Sequence, residues 1–347
     1  MGYEPVVIAI TAVGWAAGWI LLLRGRQATR AAGEKTDAAA LSIIVPARNE
    51  SENLPRLLRS IRGQRIQPAQ VIVVDDASTD RTADIAREFG ATVISPPELP
   101  EGWRGKTWAC QHGANAASGE LLLFLDADTW FEENGLAEVL AMYDGGAFSV
   151  GPWHAVVRAH EQMSAYFNLV MNCAVVPNGL FGQMLLVEKD SYQHVGGHEA
   201  VKGRILENLA LAGEFRRQGL AVRSFGGRGM LSFRMYPEGL RQLTDGWIKA
   251  FSSGAGETPI GVILAVILWL TGMMLAASLL PLGWVSAVVY LLFVVQLAPA
   301  FWRVGSFRWY LALIYPIPLI FFFCVFALSA LRSKKPVLWK GRTIRAD

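Results

Sequence analysis

Three long, strongly apolar stretches without a charged residue constrain this 347-residue chain more than any other feature. They cover residues 5–23, 258–302 and 309–331. A bilayer core is about 30 Å thick and takes about 20 apolar residues per helix, so each stretch is long enough to enter a membrane. Hydrophobic residues make up 52% of the chain and charged residues only 18%, which is too apolar for an ordinary soluble enzyme.

These stretches predict an N-terminal transmembrane helix in residues 1–24 and C-terminal transmembrane helices in residues 258–331. Pro281 and Gly283 divide the C-terminal part into separate helices. The prolines that follow Tyr315 predict that the last helix is kinked or re-entrant.

Positive charges predict the orientation in the cell membrane. Arg24, Arg26 and Arg30 follow the first span, so the basic linker at residues 25–40 and the region after it are expected to face the cytoplasm. The basic tail, residues 332–347, should lie on the same side. Four full spans would place it on the opposite side, and a re-entrant last segment would remove this conflict.

The cysteine count and net charge exclude some function classes. The three cysteines show no paired spacing, which fits a reduced compartment and no zinc site. The formal net charge is only +3, so we expect no nucleic-acid partner.

Residues 41–237 predict an independent α/β domain. Apolar runs typical of strands occur at residues 41–47, 71–78, 91–95 and 121–128, and helical spacing occurs at residues 52–62, 82–89 and 106–117. Strands that alternate with helices predict a mostly parallel sheet. Such a sheet binds ligands at the carboxyl ends of its strands.

Polar and acidic residues follow three of these predicted strands. Arg48-Asn49-Glu50 follows the first, Asp75-Asp76 ends the second, and Asp126 and Asp128 end the fourth. Clustered acids repel one another unless a cation is bound. Hard oxygen ligands suit Mg²⁺ or Mn²⁺, which in turn hold phosphate. The order of these strand ends therefore indicates a site for a nucleotide and a metal ion.

Three segments carry a resemblance to a known family. IIVPARNE (43–50), VIVVDDASTD (71–80) and FLDAD (124–128), in this order, resemble the family 2 inverting glycosyltransferases, which have the GT-A fold. The likeness covers residues 41 to about 250. EGWRGKTWAC (101–110), FRMYP (233–237) and WKGR (339–342) look like the membrane-bound branch that includes carotenoid-acid (diaponeurosporenoate) and hopanoid-associated glycosyltransferases.

The resemblance implies a role for particular positions. Asp126 and Asp128 would hold the metal ion, with Asp128 as the more direct ligand. The positions that would contact the nucleotide sugar or the acceptor headgroup are Pro46, Arg48, Glu50, Asp75, Asp76, Lys106, Asp126, Arg234 and Arg342.

The expected general base departs from the family pattern. An inverting transferase deprotonates its acceptor oxygen, and the family usually places a Glu-Asp pair at the start of a late helix. Glu207-Asn208 stands there in this chain, and asparagine cannot take a proton. Glu207 is the favoured base. His198 or Asp190 could replace it, or the acceptor could already be an anion.

Two further segments predict where a lipid would approach. Residues 162–187 carry no charge, but several asparagines interrupt them, so an interfacial helix and loop is a better interpretation than a span. In residues 238–257, Leu240, Leu243, Trp247 and Phe251 share one helical face. This face predicts an amphipathic helix at the membrane surface, or else a helix packed on the domain.

The sequence thus predicts a membrane-bound glycosyltransferase that moves a sugar, expected to be glucose, from a UDP-sugar to a membrane lipid. A carotenoid acid, a hopanoid, a glycerolipid and a polyprenyl phosphate all fit as acceptor. The alternative of another class is a non-catalytic membrane scaffold with a decayed transferase domain, which Asn208 alone supports. The oligomeric state is left open.

Overall fold

A computed structural model describes residues 4–25, 40–254, 258–332, 337–339 and 342–344. The α-helices are α1 (Glu4–Arg24), α2 (Leu54–Arg62), α3 (Thr82–Glu88), α4 (Gly105–Ala116), α5 (Gly135–Met142), α6 (Ala165–Val175), α7 (Lys189–His194), α8 (Glu207–Arg217), α9 (Leu240–Gly254), α10 (Ile260–Leu279), α11 (Trp284–Val304), α12 (Tyr310–Leu313) and α13 (Pro316–Arg332). Short 3₁₀ helices cover Ala159–Ser164, Gly197–Val201 and Leu280–Leu282.

The strands are β1 (Leu41–Ala47), β2 (Gln70–Asp75), β3 (Thr92–Ile94), β4 (Leu121–Leu125), β5 (Thr129–Phe131), β6 (Ala147–Gly151), β7 (Trp153–His154), β8 (Met184–Glu188), β9 (Val222–Gly226), β10 (Leu231–Phe233), β11 (Val337–Trp339) and β12 (Arg342–Ile344). The main sheet has the order β3-β2-β1-β4-β8-β6-β9, in which only β8 runs antiparallel to its neighbours. A smaller sheet has the order β5-β10-β7. The predicted α/β domain with a mostly parallel sheet is confirmed.

The central strands are apolar on both faces because helices cover both sides of the sheet. On β1, Ile43 belongs to the core on one side and Ile44 to the core on the other, and both are fully buried. Leu123 and Leu122 divide in the same way on the neighbouring β4. Since β1, β2 and β4 are parallel, their carboxyl ends meet at one edge, as the sequence predicts.

Three helices, α1, α10 and α11, are long and apolar enough to cross a membrane, by length and composition. A buried polar contact joins all three. Gln296 of α11 accepts a hydrogen bond from the Trp269 indole of α10 at 2.7 Å and donates one to the Trp15 carbonyl of α1 at 2.9 Å. Helices surrounded by lipid gain specificity from such interhelical hydrogen bonds.

The last apolar stretch forms a hairpin that starts and ends beside the α/β domain. At its start, Ser306 donates from its backbone to the His154 carbonyl at 2.8 Å. At its turn, the Tyr315 hydroxyl reaches the Met273 carbonyl in the middle of α10 at 2.9 Å. At its end, the Ser329 hydroxyl donates to the Ile248 carbonyl of α9 at 3.0 Å. Pro316 and Pro318 follow the turn, where they fit the first turn of α13.

The two segments predicted to meet the lipid pack on one another. Trp247 of α9 stacks on Phe167 of α6, with ring centroids 4.7 Å apart. Leu243 and Trp247 are buried, whereas Leu240 is 47% exposed. The apolar face of α9 thus packs against α6 and α13. The position of α9 at the membrane surface stays a prediction. The side chain of Phe251 and most of the 25–40 linker lie outside the described residues.

The close contact between α1 and α10 depends on Gly14. A Cβ at this position would lie 2.5 Å from the Leu268 carbonyl oxygen and 2.9 Å from the Cα of Gly272. We expect Gly14→Ala to separate the helices and lower the melting temperature in detergent by several degrees, despite the better helix propensity of alanine.

Gly261 of α10 is the matched control, because a Cβ there meets no atom within 4 Å. Gly261→Ala should leave the melting temperature unchanged or raise it. Equal melting temperatures for the two variants would show that the close approach of α1 and α10 does not depend on a glycine at position 14.

Candidate active site

The carboxyl ends of β1 and β2 carry two loops that are tied to each other. The Asn49 side chain accepts a backbone hydrogen bond from Thr79 at 2.8 Å, and the Thr82 hydroxyl accepts one from the Glu50 backbone at 2.8 Å. Arg48 donates to the Asp76 carbonyl at 2.6 Å. The predicted nucleotide residues of both strand ends therefore lie together on one surface, next to Pro46 in β1.

Asp80 also joins the same two loops. Its carboxylate accepts hydrogen bonds from the Ser51 backbone at 3.1 Å and from the Thr82 backbone at 2.9 Å. Burial acts to raise the pKa of Asp80, but these hydrogen bonds outweigh it and lower the pKa to about 2. Positive φ angles at Asn49 (54°) and Ala77 (55°) mark the sharp turns that leave the strands. Contact of Arg48, Glu50, Asp75 and Asp76 with a nucleotide stays a prediction.

Lys106 occupies the centre of the polar site. It belongs to the first turn of α4, and its ammonium group has three acceptors at hydrogen-bond distance. Asp126 Oδ1 lies 2.7 Å away, Glu207 Oε1 2.8 Å and the Gly182 carbonyl 2.8 Å. Burial acts to lower the pKa of Lys106, but the carboxylates of Asp126 and Glu207 outweigh it and raise the pKa well above its usual value.

Glu207 and Asn208 open α8 beside this lysine. Both side chains are buried, with 4% and 3% exposure. The Asn208 amide donates to the Phe181 carbonyl at 2.8 Å and to the Gly182 carbonyl at 3.3 Å. The loop before β8 thus receives hydrogen bonds from both Lys106 and Asn208. No sequence pattern indicates this role for residues 181–182, because it uses only backbone carbonyls.

The two other candidate bases do not face this site. His198 is 1% exposed, and its Nδ1 lies 2.7 Å from the Tyr192 hydroxyl. Burial, together with the charge of Lys106, lowers the pKa of His198 to about 3. Asp190 is exposed on α7, which begins next to Glu120 at the opposite end of β4. Both alternatives therefore lose support.

Arg234 has a buried carboxylate as its partner. Its guanidinium donates to Glu161 Oε1 at 3.1 and 2.8 Å, and Glu161 has no exposed surface. Although burial acts to raise it, backbone hydrogen bonds and Arg234 hold the pKa of Glu161 below its usual value. Contact of Arg234 with a diphosphate stays a prediction, and the side chain of Arg342 lies outside the described residues.

Tyr236 closes the side of the site next to Asp128. Burial, and then the charge of Asp128, raise the pKa of Tyr236 well above its usual value. Its backbone has a φ of 57°, an uncommon angle for a residue with a side chain. The ring occupies the space that a side chain at position 246 would need, since a Cβ on Gly246 would lie 2.2 Å from it. This contact joins the FRMYP segment to α9.

A cavity of about 900 Å³ extends from the polar site toward the apolar helices. Lys106, Asp126, Glu207 and Asn208 line one end, and Trp247 lies along α9. The remaining wall includes the apolar side chains of Met171, Val175, Met235 and Val304. The cavity therefore joins a charged end within the α/β domain to an apolar end beside the membrane-type helices.

The carboxylates at the end of β4 have the chemistry that a divalent metal ion needs. Within the described ranges, no group of three or more His, Cys, Asp or Glu side chains lies together as a metal site. A nucleotide-bound Mg²⁺ uses one or two carboxylates and takes its other ligands from phosphates and water. Asp126 and Asp128 fit that pattern, and Asp126 already faces a cation in Lys106.

Comparison with known proteins decides the family. The chain is 34% identical to the 4,4'-diaponeurosporenoate glycosyltransferase of Staphylococcus aureus strain MRSA252, over 97% of this chain and 96% of that one. The protein of the same description from strain N315 is 35% identical over 87% of this chain and 88% of that one. The family model described as "Glycosyl transferase family 2" matches residues 42–163. The chain belongs to family 2 of the glycosyltransferases.

A solved structure supports the fold of this glycosyltransferase. The mannosyltransferase PcManGT from Pyrobaculum calidifontis, solved in complex with GDP-Man and Mn²⁺, superimposes with a TM-score of 0.56. The alignment covers 95% of this chain and 98% of the other at 17% identity. The likeness confirms the predicted GT-A fold.

The position of Lys106 generates a stability prediction. Lys106→Met leaves the carboxylates of Asp126 and Glu207 close together without a cation. We expect the free energy of unfolding at pH 7 to fall by about 1–3 kcal/mol, less than for a fully buried pair because Lys106 is 27% exposed. Denaturant unfolding in detergent at pH 7 measures this deficit.

Arg81→Met is the control for this experiment. Arg81 pairs with Glu88 at 2.8 Å, but both side chains are largely exposed. Its loss should cost less than about 1 kcal/mol at pH 7. A Lys106→Met deficit equal to that of the control would contradict a central role for the lysine.

Proposed function

We propose that this glycosyltransferase transfers glucose from UDP-glucose to a membrane lipid, with inversion at the anomeric carbon. The observation that carries the proposal is the cavity that joins Lys106, Asp126 and Glu207 to an apolar wall beside α6, α9 and α11. A soluble acceptor would need no such wall. The description of the Staphylococcus aureus relatives as diaponeurosporenoate glycosyltransferases supports a lipid-like acid as one acceptor of this class.

The donor is expected along the carboxyl edge of the sheet. The tied loops with Arg48 and Asp76 would hold the nucleoside, and the end of β4 would lie at the diphosphate. Asp126 and Asp128 would hold Mg²⁺ or Mn²⁺, which when bound neutralises charge that develops on the leaving diphosphate. Lys106 contacts Asp126 Oδ1 at 2.7 Å and would orient this carboxylate toward the same place.

The acceptor is expected to enter from the membrane side. Its apolar part would lie against Met171, Val175 and Trp247, and its reacting oxygen would reach the end lined by Glu207 and Asn208. If that oxygen belongs to a hydroxyl group, Glu207 is the buried carboxylate at this end of the cavity that could take its proton. Bringing both substrates into one cavity supplies proximity and excludes water.

We also propose a three-span topology with the catalytic domain in the cytoplasm. α1, α10 and α11 would cross the membrane, and the hairpin of residues 306–332 would enter and leave on the domain side. Tyr290, which lies next to the hairpin turn, is about 20 Å along α11 from Val304. The basic tail would then lie on the same side as the domain, as the positive-inside rule requires.

Asp128→Ala tests the donor site. Loss of one carboxylate at the metal position should reduce UDP release from UDP-glucose with Mn²⁺ and lipid by more than about a hundredfold. Asp84→Ala is the control, because Asp84 is exposed on α3 and forms a surface ion pair with Arg87 at 3.1 Å. Full activity of Asp128→Ala would reject Asp128 as a residue of the donor site, whereas no UDP release from the unaltered protein would favour the scaffold alternative.

Met171→Trp tests the acceptor end of the cavity. The larger side chain fills space between α6 and α9, so the KM for the lipid should rise roughly tenfold while the KM for UDP-glucose stays constant. Val157→Trp is the control, since Val157 is 66% exposed and does not line the cavity. A change in both KM values, or in neither, would contradict separate donor and acceptor ends.

A further inference from the structure

Two exposed tryptophans mark the ends of α11. Trp284 is its first residue and is 79% exposed, and Trp302 lies in its last turn and is 55% exposed. The rise of an α-helix separates the two positions by about 27 Å. This distance is close to the thickness of a hydrocarbon core, about 30 Å. Because tryptophans are enriched at both interfaces of a membrane, Trp302 indicates the level of the interface on the side of the α/β domain.

The loop between β9 and β10 brings the α/β domain to this level. Arg228 belongs to this loop, and its guanidinium carbon lies 2.9 Å from the centre of the Trp302 ring. The Trp153 indole of β7 donates to the Trp302 carbonyl at 3.1 Å, which fixes the same helix end to the domain. Gly229, the next residue of the loop, is exposed, and a Cβ there would meet no described atom within 4 Å. The loop is therefore open at the level of the interface.

The α/β domain also exposes an apolar side chain beside the membrane hairpin. Val157 is 66% exposed, and it is the only large apolar residue of residues 41–237 that is exposed. Its neighbour Val156 donates from its backbone to the Ser306 hydroxyl at 2.7 Å, at the start of the hairpin. An isolated valine on a surface needs no explanation, but this one lies where the chain enters the apolar helices.

Four arginines surround the same level. Arg24 ends α1, Arg303 lies in the last turn of α11, Arg308 is exposed at the start of the hairpin, and Arg228 lies in the β9–β10 loop. Arg303 Nη1 is 3.4 Å from the Leu22 carbonyl, so the ends of α1 and α11 lie side by side. None of the four arginines forms an ion pair with a carboxylate within the part of the chain that the structure describes.

Arg228 in particular lacks a counter-charge. Burial lowers the pKa of its guanidinium, so this cation has lost part of its contact with water. An indole ring attracts a cation but does not neutralise it. At the other end of the same helices, residues 279–284 carry no charge. The positive charge is thus confined to one interface, where an anion would supply the missing partner.

We propose that the β9–β10 loop and Val157 form a membrane-docking face of the α/β domain, and that Arg228, stacked on Trp302, binds the phosphate of an anionic phospholipid. The inference rests on the three-span topology proposed above. This phospholipid is distinct from the acceptor, because neither Arg228 nor Trp302 lines the cavity. A guanidinium binds phosphate oxygens through paired hydrogen bonds, and anionic lipids of the cytoplasmic leaflet attract arginines close to the membrane.

The position of the face favours a lipid over an acidic protein as the partner. Trp302 and Trp309, which is 76% exposed, belong to elements that enter the apolar region, so lipid would surround them. A protein partner would have to displace this lipid. A headgroup needs no such displacement, because its phosphate lies at the level of the arginines while its acyl chains extend along α11.

A spin label at position 157 measures whether the face touches the bilayer. The full-length protein carries Val157→Cys and Cys324→Ser, since the other two cysteines are buried, and is placed in nanodiscs of phosphatidylcholine mixed with phosphatidylglycerol. We expect the label to collide more with oxygen, which dissolves in lipid, than with a water-soluble nickel chelate. A label at Glu88→Cys should show the reverse, because Glu88 is exposed on α3, next to β3 at the opposite edge of the main sheet from β9.

The melting temperature in detergent tests the headgroup site, because a ligand that binds the folded protein raises this temperature. We expect phosphatidylglycerol to raise it more than phosphatidylcholine does, and inorganic phosphate to leave it unchanged. Arg228→Gln should lose at least about half of the difference between the two lipids, whereas Arg228→Lys, which keeps the charge, should lose less. Arg223→Gln is the control, since Arg223 is an arginine of β9 that pairs with Asp144, and it should keep the full difference.

The headgroup site is overturned if both lipids raise the melting temperature equally, if Arg228→Gln keeps the full difference, or if inorganic phosphate has the same effect. The docking face is overturned if the label at position 157 collides mainly with the nickel chelate. The same result from a label at Val295→Cys, which is 65% exposed in the middle of α11, would overturn the three-span topology and the inference with it. UDP release in the same nanodiscs tests the proposed transferase activity separately.

Discussion

The ion pair network of Lys106 is the interaction on which the rest of the site depends. One ammonium group joins the end of β4 through Asp126, the start of α8 through Glu207, and the loop before β8 through the Gly182 carbonyl. These three elements are far apart in sequence. Carboxylates so close together would repel one another without a cation, so the lysine is what allows acids from two elements to line one cavity.

The departure from the family pattern at position 208 has a local structural explanation. In this chain, one usual acid is Asn208, and the neighbouring backbone carbonyls provide acceptors for its amide. The substitution is therefore accommodated by the fold and is not evidence of decay, which weakens the scaffold alternative.

The apolar helices make more contacts with the α/β domain than they would need if they served only to hold the domain at a membrane. Ser306 and Ser329 bring both ends of the last hairpin to the domain side, and Trp247 packs against Phe167 above it. The cavity wall includes Arg303 and Val304 at the end of α11. The apolar helices thus form part of the cavity wall, which supports a lipid as the proposed acceptor.

The amino-acid sequence alone determined the elements of the domain, the order of its motifs and the location of the apolar helices. Strands and helices show in the spacing of apolar residues, with periods of 2 and 3.6, and this spacing is a local property. Short motifs such as Asp126-Ala127-Asp128 can also be recognised without knowledge of the fold. Only the tertiary structure decided which groups meet. Many residues separate Lys106, Gly182 and Asn208 along the chain. Every residue has a backbone carbonyl, so the sequence does not show which carbonyl accepts a hydrogen bond. Only the contacts of Ser306 and Ser329 showed that the last helix returns to the domain. Hydropathy measures how apolar a segment is, and it does not show where the ends of the segment lie.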